Sequence, residues 1–272
     1  MQRLTRTIAL CVAAAFSMTL SERLWAQQVA PKIHTLTVYD SFDQKLINPA
    51  KWSSDWQCGP AATECVSEIV NGKLHLRLRA YGGTGTNIGA QFGSAQLYLK
   101  AASLATVVAA GVMVRSTSAA DCPTNPNAGS HGQALLDGVF FNDGGGTPAG
   151  DVHAFLQLDR YASEATGVVP VGGFLQYQGN FFGNVDVGVV NVGERAIVQL
   201  TWDRPNHRFI LRLIRPTQNT ISEQYMPYTM PDSAPAVTPF RRLGVFGFPP
   251  NCVGTQTFAE MDILVDNVTV GQ

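Results

Sequence analysis

The sequence is poor in charge and has no excess of either sign. Only 14 % of its 272 residues are charged, and 19 basic side chains stand against 20 acidic ones. A protein that holds nucleic acid or anionic lipid by electrostatic attraction carries a basic patch, which this balance does not supply. We therefore expect no nucleic-acid partner.

Long apolar runs are missing after the first 26 residues. The run "TIALCVAAAFSMTL" follows a basic start but is shorter than the ~20 residues of a membrane-spanning helix. Leu24 and Ala26 stand where a signal peptidase reads, and an uncleaved anchor is the alternative. The pattern predicts a signal peptide over residues 1–26 and, after its cleavage, a secreted or periplasmic/extracellular protein with no membrane span. The remaining residues, 27–272, are predicted to form a single β-sandwich domain.

Helical periodicity is nearly absent, and alternation with a period of two takes its place. In "NGKLHLRL", Leu74, Leu76 and Leu78 face one way, whereas His75 and Arg77 face the other. The Asn-Gly pair before them suits a tight hairpin turn. Similar short runs recur between turns formed by 26 glycines and 15 prolines. The class is all-β, a sandwich or jelly roll.

Cysteine is sparse but even in number once the signal peptide is removed. Cys11 leaves with the signal, and four of the five cysteines remain. An even count in an exported chain predicts two disulfides. The short loop "CGPAATEC" favours one bridge, which leaves two Pro/Asn-rich loops for the other. The cysteines concerned are Cys58 with Cys65 and Cys122 with Cys252.

The two ends of the chain resemble the concanavalin A-like lectin/glucanase superfamily. "VYDSFDQKLINPAKW" is similar to the opening of family 16 glycoside hydrolases, with Asp40 and Phe42 before Trp52. "VNGKLHLRL" resembles the next hairpin of that family, and "ILVDNVTVGQ" resembles its closing strand. The resemblance implies a concanavalin A-like jelly-roll β-sandwich of two antiparallel sheets, in which the first and last strands pair.

The same resemblance implies a structural calcium ion near the paired ends. By position, Asp266 would supply a carboxylate and Gly72 a backbone carbonyl, which are ligands that a hard cation prefers. The alternative is that Asp266 only caps a turn or hydrogen-bonds to backbone.

The catalytic motif of family 16, Glu-x-Asp-x-Glu or its bulged form, is not present. The one Glu-x-Asp in the chain is Glu260 and Asp262, and the third acid is replaced by Leu264 or Val265. We expect this pair to face solvent on a late strand, because surface acids are common.

A better positional match to the catalytic strand is "GDVHAFLQLDRY". Asp151 then stands for the nucleophile and His153 for the middle acid, whereas an apolar residue replaces the general acid. The family's double displacement is therefore not expected, and catalytic residues are predicted only for an alternative enzyme with Asp151 and His153 as its acid/base set. A lyase on this fold would add Tyr177, Gln157 and Arg115.

The polar face of this strand predicts a binding site instead. Alternation turns its polar and aromatic residues outward, and "GGFLQYQ" adds glutamines or else a tyrosine, depending on register. Rings that stack on sugars and amides that bond hydroxyls indicate a polysaccharide or glycan ligand. Ordinary exposed strand residues are the alternative, and the protein is then a structural surface protein. The predicted ligand-binding residues are His153, Phe155, Gln157, Asp159, Gln176 (with Gln178) and Tyr177.

Overall fold

The structure is a computed structural model that describes residues 35–53, 58, 63–125 and 129–272. The predicted signal peptide, residues 1–26, lies outside the described residues. Residues Thr35–Gln272 form one compact unit. Within this part of the chain, no helix is long and apolar enough to cross a bilayer.

The described residues form fourteen strands and three 3-10 turns. The turns are Pro148–Gly150, Arg204–Asn206 and Pro216–Gln218. The strands are β1 (Thr37–Asp40), β2 (Thr63–Val70), β3 (Lys73–Tyr81), β4 (Gly93–Tyr98), β5 (Val107–Ala120), β6 (His131–Asn142), β7 (Asp151–Tyr161), β8 (Val168–Tyr177), β9 (Asn180–Asn191), β10 (Arg195–Asp203), β11 (Arg208–Arg215), β12 (Thr220–Pro227), β13 (Arg241–Phe248) and β14 (Phe258–Gly271).

The strands build two antiparallel sheets around a common apolar core. The eight-stranded sheet has the order β12-β11-β10-β5-β14-β3-β2, and β1 also pairs with β14. The six-stranded sheet has the order β4-β13-β6-β7-β8-β9. The prediction of an all-β sandwich of two antiparallel sheets is confirmed.

Alternation along the strands decides which side chains enter the core. Leu74, Leu76 and Leu78 are all 0 % exposed, as the pattern of β3 predicts. Before them, Asn71 and Gly72 have φ angles of 51° and 69°. Two consecutive positive φ angles fit the right-handed twist of the flanking strands, which is why an Asn-Gly pair makes this hairpin.

Asp40, Phe42 and Trp52 of the motif "VYDSFDQKLINPAKW" pack together beside the paired chain ends. Trp52 donates its indole N–H to Asp40 at 2.7 Å, and the backbone N–H of Phe42 donates to the same carboxylate at 3.1 Å. The rings of Phe42 and Trp52 stack with centroids 5.8 Å apart. Next to these residues, β1 pairs with β14. The acid is needed because a buried indole N–H requires an acceptor.

Both predicted disulfides are present. Cys58 and Cys65 have Cα atoms 5.9 Å apart, and Cys122 and Cys252 have Cα atoms 5.4 Å apart. The second bridge joins the loop after β5 to the loop after β13 and thereby ties the two sheets together.

Glu260 and Asp262 differ from the prediction. They lie on the outer side of β14, but their side chains are only 12 % and 11 % exposed. Arg77 donates to Glu260 at 3.0 Å, and His75 lies 3.1 Å from Asp262. The expectation that they face solvent is wrong, because basic residues of neighbouring strands cover them.

Candidate functional site

A pocket of about 280 Å³ opens at one end of the six-stranded sheet, where β7 begins and β8 ends. Strands, turns and residues 231–240 form its walls; we call the last segment, which joins β12 to β13, the strap. The lining residues are Val139, Pro148, Ala149, Asp151, His153, Gln176, Tyr177, Gln178, Gly179, Val237 and Phe240. The pocket thus brings together five residues that the sequence singles out: Asp151, His153, Gln176, Tyr177 and Gln178.

His153 contributes a neutral imidazole to this pocket. The antiparallel register places it opposite Gln176. Its ring meets Phe155 and Phe240 edge-on, with centroids 5.5 and 5.3 Å away. Burial lowers the pKa of His153, so the ring is uncharged at pH 7. Its Nε2 is buried and has no hydrogen-bond partner within the described part of the chain, which leaves one polar atom of this wall unsatisfied.

The end of β8 breaks the alternation. Gln178 and Gly179 have left-handed φ angles of 50° and 74°. Gln176, Tyr177 and Gln178 therefore all line the pocket, where strict alternation offers either the glutamines or the tyrosine. The Tyr177 hydroxyl donates to Asp143 at 2.7 Å and accepts from Gln178 at 2.7 Å. The bond to Asp143 raises the pKa of Tyr177, so its hydroxyl keeps its proton at neutral pH.

Asp151 anchors the strap to the sheet. Its Oδ1 accepts from the Asn142 amide at 2.8 Å and from the backbone N–H of Ala236 at 2.7 Å. Its Oδ2 accepts from the backbone N–H of Val237 at 2.9 Å. These bonds position the wall that carries Val237 and Phe240.

The pocket does not assemble the carboxyl pair of a retaining glycosidase. That mechanism needs two carboxyl groups ~5–5.5 Å apart. Among the lining residues in the described ranges, Asp151 is the one acid, and its oxygens already accept three hydrogen bonds.

The residues named for a lyase are only partly gathered. His153 and Tyr177 line the pocket, but Gln157 does not. Arg115 belongs to β5 in the other sheet, where its Nη1 lies 3.8 Å from Asp262. The pocket therefore lacks the cation that the lyase hypothesis assigns to Arg115.

Three further predicted ligand-binding residues lie along β7 beyond the pocket. Phe155 is 7 % exposed and stacks on Phe174 with centroids 4.5 Å apart, so its ring is not free to stack on a sugar. Gln157 accepts a hydrogen bond from Gln133 at 2.6 Å. Asp159 is 8 % exposed, and burial raises its pKa to about 7.

Asp266 does not fit the implied calcium site, and the role of the Gly72 carbonyl stays a prediction. The Asp266 carboxylate already accepts hydrogen bonds from Lys73 and Arg195, each at 2.7 Å. Two cationic side chains on one carboxylate repel a divalent cation. Among the described residues, no group of three or more His, Cys, Asp or Glu side chains is arranged to hold a metal ion.

Sequence reasoning missed the part of the pocket that the strap supplies. Val237 and Phe240 lie in "PDSAPAVTPF", which has no alternation and reads as a proline-rich connection. The prolines mark a loop but do not show which sheet the loop crosses.

The comparisons with known proteins find only distant structural likenesses. No known family profile matches the chain, and no curated protein matches its sequence. Solved structures of similar fold include the pseudo β-1,3-glucanase and immunostimulatory antigen of Mycobacterium tuberculosis, with 13 % identity and a TM-score of 0.48, over 87 % of this chain and 97 % of that one.

Two others are a κ-carrageenase from Pseudoalteromonas carrageenovora and lectin II from Ulex europaeus. The first has 11 % identity and a TM-score of 0.40, over 89 % of this chain and 98 % of that one. The second has 12 % identity and a TM-score of 0.32, over 79 % and 96 %. The likeness concerns the fold alone. The two-sheet antiparallel sandwich is established by the strand order itself, and no activity follows from the likeness.

Proposed function

We propose that this protein is a lectin-like, carbohydrate-binding β-sandwich whose ligand enters the pocket at the end of the six-stranded sheet. The supporting observation is the convergence of the rings of Tyr177 and Phe240 with the polar groups of His153, Gln176 and Gln178. Rings provide apolar faces for the C–H groups of a sugar, and amide and imidazole groups bond to its hydroxyls. The volume of about 280 Å³ suits a small polar ligand such as one sugar unit of a glycan.

We further infer that the mature protein is secreted or periplasmic. Two disulfides support this inference, because such bonds persist in oxidising compartments. The signal peptide expected over residues 1–26 agrees with it.

The decisive experiment is binding of the mature protein to an array of soluble glycans, followed by calorimetry on the best ligand. Gln176→Ala removes an amide from the pocket wall without touching the core. The affinity is expected to fall about tenfold, the effect of one lost hydrogen bond to a ligand hydroxyl.

Gln224→Ala is the matched control, because Gln224 is an exposed strand residue on β12 of the other sheet. It should bind like the wild type. Equal losses in both variants would remove the pocket from consideration, and absence of binding to every glycan would favour a structural surface protein.

A polysaccharide-degrading enzyme is the second candidate, and His153 is the observation that favours it. A neutral imidazole in the pocket wall is the kind of group that serves as a general base. The same incubations should therefore be assayed for new reducing ends and for unsaturated products. Product that disappears in His153→Ala but persists in Gln224→Ala would establish catalysis; binding without product supports the lectin-like function.

A further inference from the structure

The wall of the pocket carries a single formal charge. Among the lining residues that the structure describes, Asp151 is acidic, His153 is neutral by burial, and none is Lys or Arg. The Asp151 oxygens accept hydrogen bonds from three N–H groups. Three donors over two oxygens leave Oδ2 with capacity for one more bond, because each oxygen can accept two.

The two arginines that follow Phe240 are both engaged in hydrogen bonds within the fold. Arg242 is held by Asp137 through two bonds of 2.7 and 2.9 Å. Arg241 is 2 % exposed and donates to the carbonyl oxygens of Ala105 and Phe240, each at 2.8 Å. Neither side chain lines the pocket.

A second acidic residue, Asp143, adds negative charge next to the pocket. Asp143 accepts a hydrogen bond at 2.7 Å from the hydroxyl of Tyr177, which lines the pocket. This bond holds the pKa of Asp143 below its usual range.

We propose that the pocket selects uncharged glycans and rejects uronic or sulfated ones, and that Asp151 sets this selectivity. The inference rests on the proposed glycan-binding function. Asp151 fixes the strap through Ala236 and Val237, and it offers Oδ2 to a ligand hydroxyl. A ligand carboxylate or sulfate in the same place would face this charge in a confined site, and like charges in contact are strongly unfavourable there.

The test compares matched ligands on the unmodified protein by calorimetry. Manno-oligosaccharides are set beside mannuronate oligosaccharides of the same linkage and length, and neutral galactan oligosaccharides beside their sulfated forms. The neutral member of each pair is expected to bind at least about tenfold more tightly at low salt. The gap should narrow as salt is raised, because screening weakens charge repulsion.

Asp151→Asn keeps the side-chain volume and removes the charge, so it should reduce the preference for the neutral member. Asp43→Asn, at an exposed acid outside the pocket, is the matched control and should keep it. If Asp151→Asn does not fold, the salt series on the wild type still tests whether charge repulsion causes the preference for neutral oligosaccharides. Equal or tighter binding of the anionic members overturns the selectivity alone. Absence of binding to both members of every pair overturns the glycan-binding function itself.

Discussion

A buried carboxyl group on the outer face of the six-stranded sheet gives the protein a residue-scale sensitivity to pH. Asp159 is 8 % exposed, and its Oδ1 has no hydrogen-bond partner in the described part of the chain. Burial is the main cause that raises its pKa to about 7, and Glu164 adds repulsion. The folded state therefore holds this proton more tightly than the unfolded chain, in which an aspartate releases it near pH 4.

Folding stability should consequently decrease as pH rises from about 4 to about 7, because the folded protein binds the extra proton over that range. Asp159→Asn removes this decrease. The variant is expected to gain stability over the wild type with rising pH, by an amount of the order of 2–4 kcal/mol at pH 8. Urea unfolding at pH 4.5, 6 and 8 measures it.

Asp186→Asn is the control, because Asp186 is an exposed aspartate in the same sheet. A pH-independent difference between Asp159→Asn and the wild type would show that the carboxyl group of Asp159 is not the source of the pH dependence.

The alternation of apolar and polar residues predicts which face of the sheet a side chain lies on, but it does not predict whether that side chain is buried. It correctly places Val152, Ala154 and Leu156 in the core, where each is 0 % exposed. It also turns Phe155 and Asp159 outward, but both are covered there by neighbours on adjoining strands. That cover depends on strand pairing between distant parts of the chain, which a period of two does not encode.

Among the elements, β14 has the greatest number of partners in the larger sheet. It pairs with β5 on one side, and with β3 and β1 on the other. Asp266 on this strand forms ion pairs with Lys73, the first residue of β3, and with Arg195, the first residue of β10. The acid that the resemblance assigns to calcium thus serves as a bridge between strands.

Asp266→Asn should lower stability by about 1 kcal/mol, because it weakens two partly exposed ion pairs. The loss should be the same with added calcium and with a chelator. Thermal unfolding of both proteins under both conditions checks this. Calcium that raises the Tm of the wild type but not of the variant would restore Asp266 as a calcium ligand.

The strap is the element that the sequence predicts least. Its place depends on two hydrogen bonds that Asp151 accepts from Ala236 and Val237, and on the pairing of Ser233 with Asn142. These contacts span sequence separations that no local pattern reaches. The hairpins, by contrast, follow from local chemistry such as the Asn-Gly pair. The pocket residues on β7 and β8 can therefore be predicted from the sequence, whereas those on the strap, which include Phe240, cannot.

At the scale of the whole molecule, the outer faces of the two sheets differ in chemistry. The eight-stranded sheet carries cross-strand ion pairs, such as Arg77 with Glu260 at 3.0 Å. The six-stranded sheet carries rings, amides and the pocket. Because most charges on the larger sheet have a partner, that face offers less to a polar, uncharged ligand than the pocket does.

The two disulfides should contribute unequally to whole-molecule stability. They close loops with sequence separations of 7 and 130 residues. In the chain-entropy account, the Cys122→Ser, Cys252→Ser double variant loses about 5 kcal/mol and the Cys58→Ser, Cys65→Ser double variant about 2 kcal/mol. Urea unfolding without reductant compares them. Equal losses would show that the length of the closed loop does not govern the effect.

The central position of β14 also constrains the order of events when the chain is made. Synthesis delivers β14 after every strand that it joins, and without it the larger sheet remains in separate pieces, β12-β11-β10-β5 and β3-β2. Long-range pairing of this kind is slow, and it leaves strand edges and apolar surface open until it is complete. A nascent chain emerging N-terminus first therefore needs protection from self-association until residues 258–271 arrive.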